Sequence, residues 1–69
     1  MKDFKMIIHL NEVEDSYALI RDIIERYQFN TRVYCGFGLE VYQINKDNYT
    51  QMVVDWNNNE IRVNKMARG

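Results

Sequence analysis

Hydrophobic side chains recur in this chain at two different periods, and the change between them near residue 30 restricts the possible folds more than any other feature. Val13, Tyr17, Ile20, Ile24 and Tyr27 follow one another at steps of four, three, four and three, with Leu19 and Ile23 widening the stripe. That is the spacing of one helix face. On the opposite side Arg21 and Glu25, and Asp22 and Arg26, stand at i,i+4, an arrangement worth ~0.3 kcal/mol per pair in an isolated helix. Asn11 and Glu14 are placed like a capping box, and a start at Asp15 or Ser16 fits equally well, because Glu12, Glu14 and Asp15 all favour the positive end of a helix. Asn30 is suited to a left-handed stop.

Outside this stretch the period is two. Phe4, Met6, Ile8 and Leu10 share one side of a first strand, and Lys5, Ile7 and His9 share the other. From Val33 to Val41 every odd position is apolar (Val33, Cys35, Phe37, Leu39, Val41), and the alternation runs straight through Gly36 and Gly38. This predicts one long strand from residue 31 to 44, bent at the two glycines, in preference to a hairpin between them. It also turns Tyr34, Tyr42 and Ile44 to the opposite side. Lys46-Asp47-Asn48 reads as a turn, then Thr50, Met52, Val54 and Trp56 alternate against Tyr49, Gln51, Val53 and Asp55. Asn57-Asn58-Asn59 turns the chain again before a last strand at Glu60 to Met66, with Ile61 and Val63 inward and a frayed tail at Ala67-Arg68-Gly69. The expected fold is α+β: a single amphipathic helix packed on one face of a four- to five-stranded antiparallel sheet, in the order β-α-β-β-β, forming one domain over residues 1–69.

Sixty-nine residues limit the core to two thin layers, and one core of this size rarely supplies more than about 3–5 kcal/mol. Cys35 is the one cysteine, so an internal disulfide is excluded, and with His9 it is too small a set for structural zinc. What remains is oligomerisation or an unusually efficient core, and a homo-oligomer is the expectation. The net charge of −1 and pI near 5.7 disfavour a domain whose main work is holding phosphate backbone. The longest apolar run near the start, Met6-Ile7-Ile8, is too short for a signal peptide or a membrane span, so no membrane partner and a cytoplasmic location are expected.

Catalytic constellations are weak. His9 reads as a surface or interface residue of a strand, Cys35 as a buried, inert thiol, and their parities place them on opposite sides of the sheet. The acidic run Glu12, Glu14, Asp15 is explained by helix capping without a cation. No catalytic residue, metal or cofactor is assigned, and the chain is expected not to be an enzyme. The informative surface is the sheet side without a helix, expected to carry Ile7, His9, Arg32, Tyr34, Tyr42, Ile44, Tyr49 and Arg62 as binding residues. Tyrosine mixed with arginine is typical of interface centres.

The segment Cys35-Gly36-Phe37-Gly38-Leu39-Glu40-Val41-Tyr42 resembles the octapeptide of the RNA-recognition motif at Gly36, Phe37, Gly38 and Tyr42. It departs from that motif at Cys35, where a basic residue belongs, at Leu39 in place of an aromatic, and at Glu40 in place of an apolar residue. The family's second helix is also missing from the pattern. The resemblance implies base stacking on the sheet, and a nucleic-acid-binding module is one alternative function. An oligomeric small-ligand binder with aromatic pockets is another. The leading expectation is a small protein-binding or regulatory domain that acts by stoichiometric association with a larger protein. The initial methionine, absence of linker, eight asparagines, seven isoleucines and lack of proline fit a complete short reading frame of the bacteriophage or mobile-element type, whose products include inhibitors of host enzymes and defence systems.

Overall fold

A computed structural model describes residues 3–66, apart from the side chain of Asn48. The tail expected at residues 67–69 lies outside the described residues. Within them the chain forms one α-helix and one five-stranded sheet. The elements are β1 (Phe4–His9), a 3-10 turn (Leu10–Glu12), α1 (Ser16–Tyr27), β2 (Thr31–Gly36), β3 (Leu39–Ile44), β4 (Asp47–Asp55) and β5 (Glu60–Lys65). The spatial order is β1-β5-β4-β3-β2, and every neighbouring pair is antiparallel. The α+β class follows, with four strands after the helix where three were expected.

The helix begins at the later of the two compatible positions. Asp15 is the cap, its Oδ1 accepting from the Ala18 amide at 3.0 Å, while Leu10–Glu12 are spent on the 3-10 turn. Of the two i,i+4 pairs anticipated, Asp22 and Arg26 form an ion pair at 3.0 Å. The stop is not Asn30. Gln28 takes the left-handed conformation at φ 61°, and the Phe29 amide donates back to the Ile24 carbonyl at 2.9 Å, folding the buried Phe29 ring under the last turn. Asn30 instead clamps the next turn: its Oδ1 accepts from the Asn45 amide at 2.7 Å, and its Nδ2 donates to Asn45 Oδ1 at 2.8 Å.

The single long strand expected over residues 31–44 is a hairpin. Gly36 pairs with Leu39 across a two-residue turn, in which Phe37 and Gly38 have φ of 51° and 77°. Both values are positive, as a type I′ turn requires. The next turn has the same form. Asn45 and Lys46 (φ 53° and 61°) close it, one residue earlier than the expected Lys46-Asp47-Asn48. A two-residue turn reverses parity, because residues of opposite parity become cross-strand partners. Leu39 and Val41 therefore face the open side, and Tyr42 and Ile44 pack against the core, the reverse of what a continuous strand would give. A register shift between Arg32 and Tyr34 reverses the first part of β2 as well, so Arg32 lies on the helix side with its partner Tyr42. Val33, Cys35 and Phe37, expected inward, are exposed: α1 does not reach across to this edge.

The core is one layer between α1 and the strands β1, β5 and β4. Leu10, Ile20, Ile23 and Phe29 meet Met52, Val54, Ile61 and Val63, and the last four have no accessible surface. Met6, Ile8, Leu19, Ile24 and Tyr27 close its margins. Burying an aliphatic side chain of this size contributes roughly 1.5–3 kcal/mol. The sheet is five strands wide and the helix only 12 residues long, about 18 Å at 1.5 Å per residue. Its β2 edge is consequently left uncovered on both sides, while β3 keeps Tyr42 and Ile44 against the core.

Candidate functional site

Register makes the open face explicit, since directly opposed residues in an antiparallel ladder project to the same side. Three rows cross it. One is polar: Lys5, Asn64, Gln51, Gln43 and Thr31, with Gln43 Nε2 donating to Gln51 Oε1 at 2.7 Å. The second is Ile7, Arg62, Val53, Val41 and Tyr34. The third is His9, Glu60, Asp55, Leu39 and Gly36. Arg62 leans out of the middle row toward the acidic one, with Nη2 3.6 Å from Asp55 Oδ2 and Nε 3.5 Å from Glu60 Oε1. By register the arginine stands between Ile7 and Val53, and its methylene stem is the apolar part it adds to a row that is otherwise aliphatic and aromatic. At roughly 4.8 Å per strand that row extends about 19 Å across the sheet. Ile7 is 48% exposed and Tyr34 42%, the latter lying over Gly36 where a Cβ would meet its hydroxyl at 3.3 Å.

Of the residues expected on this face, Ile7, His9, Tyr34 and Arg62 are brought together there. Tyr42, Ile44 and Arg32 are on the other side, for the parity reasons given above. Tyr49 is exposed beside the register shift of β4, its amide donating to Asp47 Oδ1 at 2.8 Å. Val41 and Leu39 take the places vacated by Tyr42 and Ile44. The apolar part of the face is its middle row, with Val41 in the membership.

The helix side carries a second surface that parity alone did not locate. Between α1 and β3 runs a groove of about 460 Å³, lined by Asp15, Tyr17, Ile20, Arg21, Ile24, Glu40, Tyr42 and Trp56. Tyr17 falls on the apolar stripe of the helix but beyond the edge of the core. It is 70% exposed and packs against Trp56 in a tilted arrangement, with ring centroids 5.3 Å apart and planes inclined at 37°. Glu40 organises the floor. Its Oε1 accepts from the Tyr42 hydroxyl at 2.7 Å, its Oε2 accepts from Trp56 Nε1 at 2.8 Å, and Arg32 Nη1 approaches to 3.6 Å. The Trp56 hydrogen bond, then that of Tyr42, holds the Glu40 carboxyl below the usual carboxylate range against the opposing effect of burial. Burial first, and then the same carboxylate, push the Tyr42 hydroxyl up.

Phe37 stands beside this groove at the hairpin tip, 91% exposed. Its backbone is fixed from the neighbouring turn: Asn57 Nδ2 donates to the Phe37 carbonyl at 2.8 Å, and the Trp56 amide donates to the Gly38 carbonyl at 2.9 Å. The eight residues that resemble the RNA-recognition octapeptide therefore span a turn. Phe37 and Tyr42 do not lie on one strand as a pair of stacking aromatics would.

His9 and Cys35 are on opposite sides of the sheet, and among the described residues no three His, Cys, Asp or Glu side chains are grouped to hold a metal ion. Cys35 itself is exposed, not buried. No helix of the described residues is long and apolar enough to cross a membrane. No protein-family model matches the chain, and it matches neither a curated protein nor a solved structure.

Proposed function

We propose that the chain is a non-catalytic protein-binding domain that acts by stoichiometric association with a larger partner, docked on the open face of the sheet. The observation that carries this reading is the unbroken middle row, Ile7, the Arg62 stem, Val53, Val41 and Tyr34, which crosses all five strands on the side the helix leaves uncovered. A sheet face turned only to water alternates toward polar residues, whereas an apolar centre with a polar border is how interfaces are built. Here the border consists of the amide row on one flank and Glu60, Asp55 and His9 on the other. Nucleic-acid binding is the weaker reading because the basic groups it needs are committed to carboxylates, Arg32 to Glu40 and Arg62 to Asp55 and Glu60.

The test is capture from a nuclease-treated lysate of the native host by immobilised wild-type chain and by Ile7→Lys and Val41→Lys variants, each shown to be folded by circular dichroism. One partner retained in fixed ratio by the wild type, and weakened about 5–30-fold by either lysine, is the expected outcome, equivalent to ~1–2 kcal/mol per contact. Equal capture by all three chains refutes the assignment of the face. Retention only of nucleic acid from a parallel lysate without nuclease, falling steeply with salt, refutes the function.

A further inference from the structure

One end of the molecule carries a projection and a depression side by side. Phe37 protrudes from the β2–β3 turn, and the groove walled by Tyr17, Ile20, Ile24, Tyr42 and Trp56 opens next to it. The two are held in fixed relation, because the Trp56 amide bonds to the carbonyl of the residue following Phe37 and Asn57 bonds to that of Phe37 itself. We propose that the chain forms a two-fold dimer in which Phe37 of each copy enters the aromatic groove of the other. The open sheet face takes no part in this contact and stays available, so the dimer stands apart from the function proposed above.

Four observations lead to a second copy as the occupant. The first is the residue type at the tip. Type I′ turns favour Asn-Gly because both central residues have positive φ, a conformation costly for a side chain such as phenylalanine. Phe37 at φ 51° improves neither the turn nor solubility, which leaves contact as its use. The second is adjacency. A closed two-fold contact presents the same patch from both copies, so knob and hole must lie on one patch, as Phe37 and the groove do.

The third observation is size. The groove, at about 460 Å³, has room for a phenyl ring. A buried phenylalanine removes roughly 150–250 Å² from water, so two knobs and the walls they cover amount to roughly 600–1,000 Å². That falls below the roughly 1,200 Å² at which stable interfaces begin, in the range of weak, transient association, so the dimer is a weak one. The fourth is charge. Asp15, Arg21 and Glu40 line the groove, and Arg32 stands outside the lining 3.6 Å from the Glu40 carboxylate, so each acid has a cation to offset it and two copies meet without net repulsion. A bilayer is a poorer match for the tip, which is flanked by Asn57, Asn58 and the Asp55 carboxylate, and anionic headgroups repel the last of these.

Analytical ultracentrifugation of the full chain tests the proposal with wild type, Phe37→Asn, Tyr17→Glu and an equimolar mixture of the two variants. Phe37→Asn has an intact groove and no knob. Tyr17→Glu has the knob and a spoiled groove, and both positions are exposed enough to leave folding intact. Wild type is expected to dimerise in the micromolar range. Each lost anchor should raise Kd at least ~30-fold, and a homodimer losing both should weaken ~1,000-fold. The mixture keeps one of the two contacts, so it should associate more weakly than wild type and more tightly than either variant alone.

A wild type that is monomeric at high micromolar concentration overturns the dimer. So does a Phe37→Asn chain that dimerises normally, or a mixture no better than its components. A monomeric wild type that floats with phosphatidylserine vesicles, or that captures a host protein in a Phe37-dependent way, would also overturn it by giving the knob another occupant. None of these results bears on capture through Ile7 and Val41, so the two proposals fail separately.

Discussion

Replacing Phe37 by asparagine should make the monomer more stable, against the usual rule that losing a large aromatic side chain is destabilising. The cost of holding an L-residue other than glycine in the left-handed region is ~1–2 kcal/mol, and asparagine relieves a substantial part of it. Phe37 is 91% exposed, so its removal gives up little burial. The two hydrogen bonds that fix the turn, from Asn57 Nδ2 and from the Trp56 amide, end on backbone carbonyls and survive the change. A net gain of ~0.5–1 kcal/mol follows, which for a domain of this size raises Tm by roughly 2–8 °C.

The assay is thermal unfolding followed by Trp56 fluorescence and far-ultraviolet circular dichroism at low micromolar concentration or below, where a weak dimer dissociates. At high concentration the order should narrow or invert, because only the wild type is stabilised by self-association, in proportion to RT ln of its concentration relative to Kd. A variant less stable than wild type at the lowest concentration would refute the reasoning. It would mean that the phenyl ring packs on its own chain.

The same turn predicts the opposite sign at its second position. Gly38→Ala places a Cβ 2.7 Å from the Asn57 side chain at φ 77°, displacing the Asn57 hydrogen bond, and should cost roughly 2–3 kcal/mol in a urea titration. Ile61→Ala empties a site with no accessible surface at the centre of the core; a loss of ~2–5 kcal/mol equals the whole stability of such a domain, so its circular dichroism at 25 °C should be that of an unfolded chain. Asp55 lies near the start of the β4–β5 turn and accepts from the Asn57 and Asn58 amides and from Asn58 Nδ2, the last of these contributing most to a carboxyl held below its usual range. Its folded value is depressed, so its contribution is present above the ordinary carboxylate range and disappears as pH falls through the folded value. The Tm advantage of wild type over Asp55→Asn should therefore shrink on acidification, and a constant difference would refute the assignment. Cys35 should react with a thiol reagent in the native state without unfolding; a protected thiol would contradict its exposure.

Some of this was legible in residue order because local spacing had one solution. The helical stripe Leu19, Ile20, Ile23, Ile24 and Tyr27 is continuous and fits no strand. In β1, β4 and β5 one parity is much more apolar than the other, so the inward set Met6, Ile8, Met52, Val54, Ile61 and Val63 follows from alternation alone. Asn57-Asn58-Asn59 announces its turn by composition, and Asn59 takes the left-handed conformation there. The β1 and β5 part of the open sheet face, with Ile7, His9 and Arg62, is a consequence of these same parities.

Residues 31–44 had no unique local answer. Val33, Cys35, Leu39 and Val41 are apolar on odd positions, and Tyr34, Tyr42 and Ile44 on even ones, so reversing the faces of β3 costs little in pattern. Length was the available signal. Fourteen residues at ~3.3 Å each make a strand of about 46 Å, far beyond anything an 18 Å helix could cover. Pairing resolved the ambiguity. Hydrogen bonds between β3 and β4 and the turn at Phe37-Gly38 set which residues are opposed, and only then do Tyr42 and Glu40 face Trp56 while Phe37 is left at the tip. The amino-acid order by itself determined the α+β class, the helix face and the β1, β4 and β5 part of the open sheet face. The groove, its carboxylate and the exposed phenylalanine were decided by tertiary structure, because they depend on the register of the β2–β3 and β3–β4 pairs and on where α1 lies against β3, and a two-residue turn reverses every face that follows it.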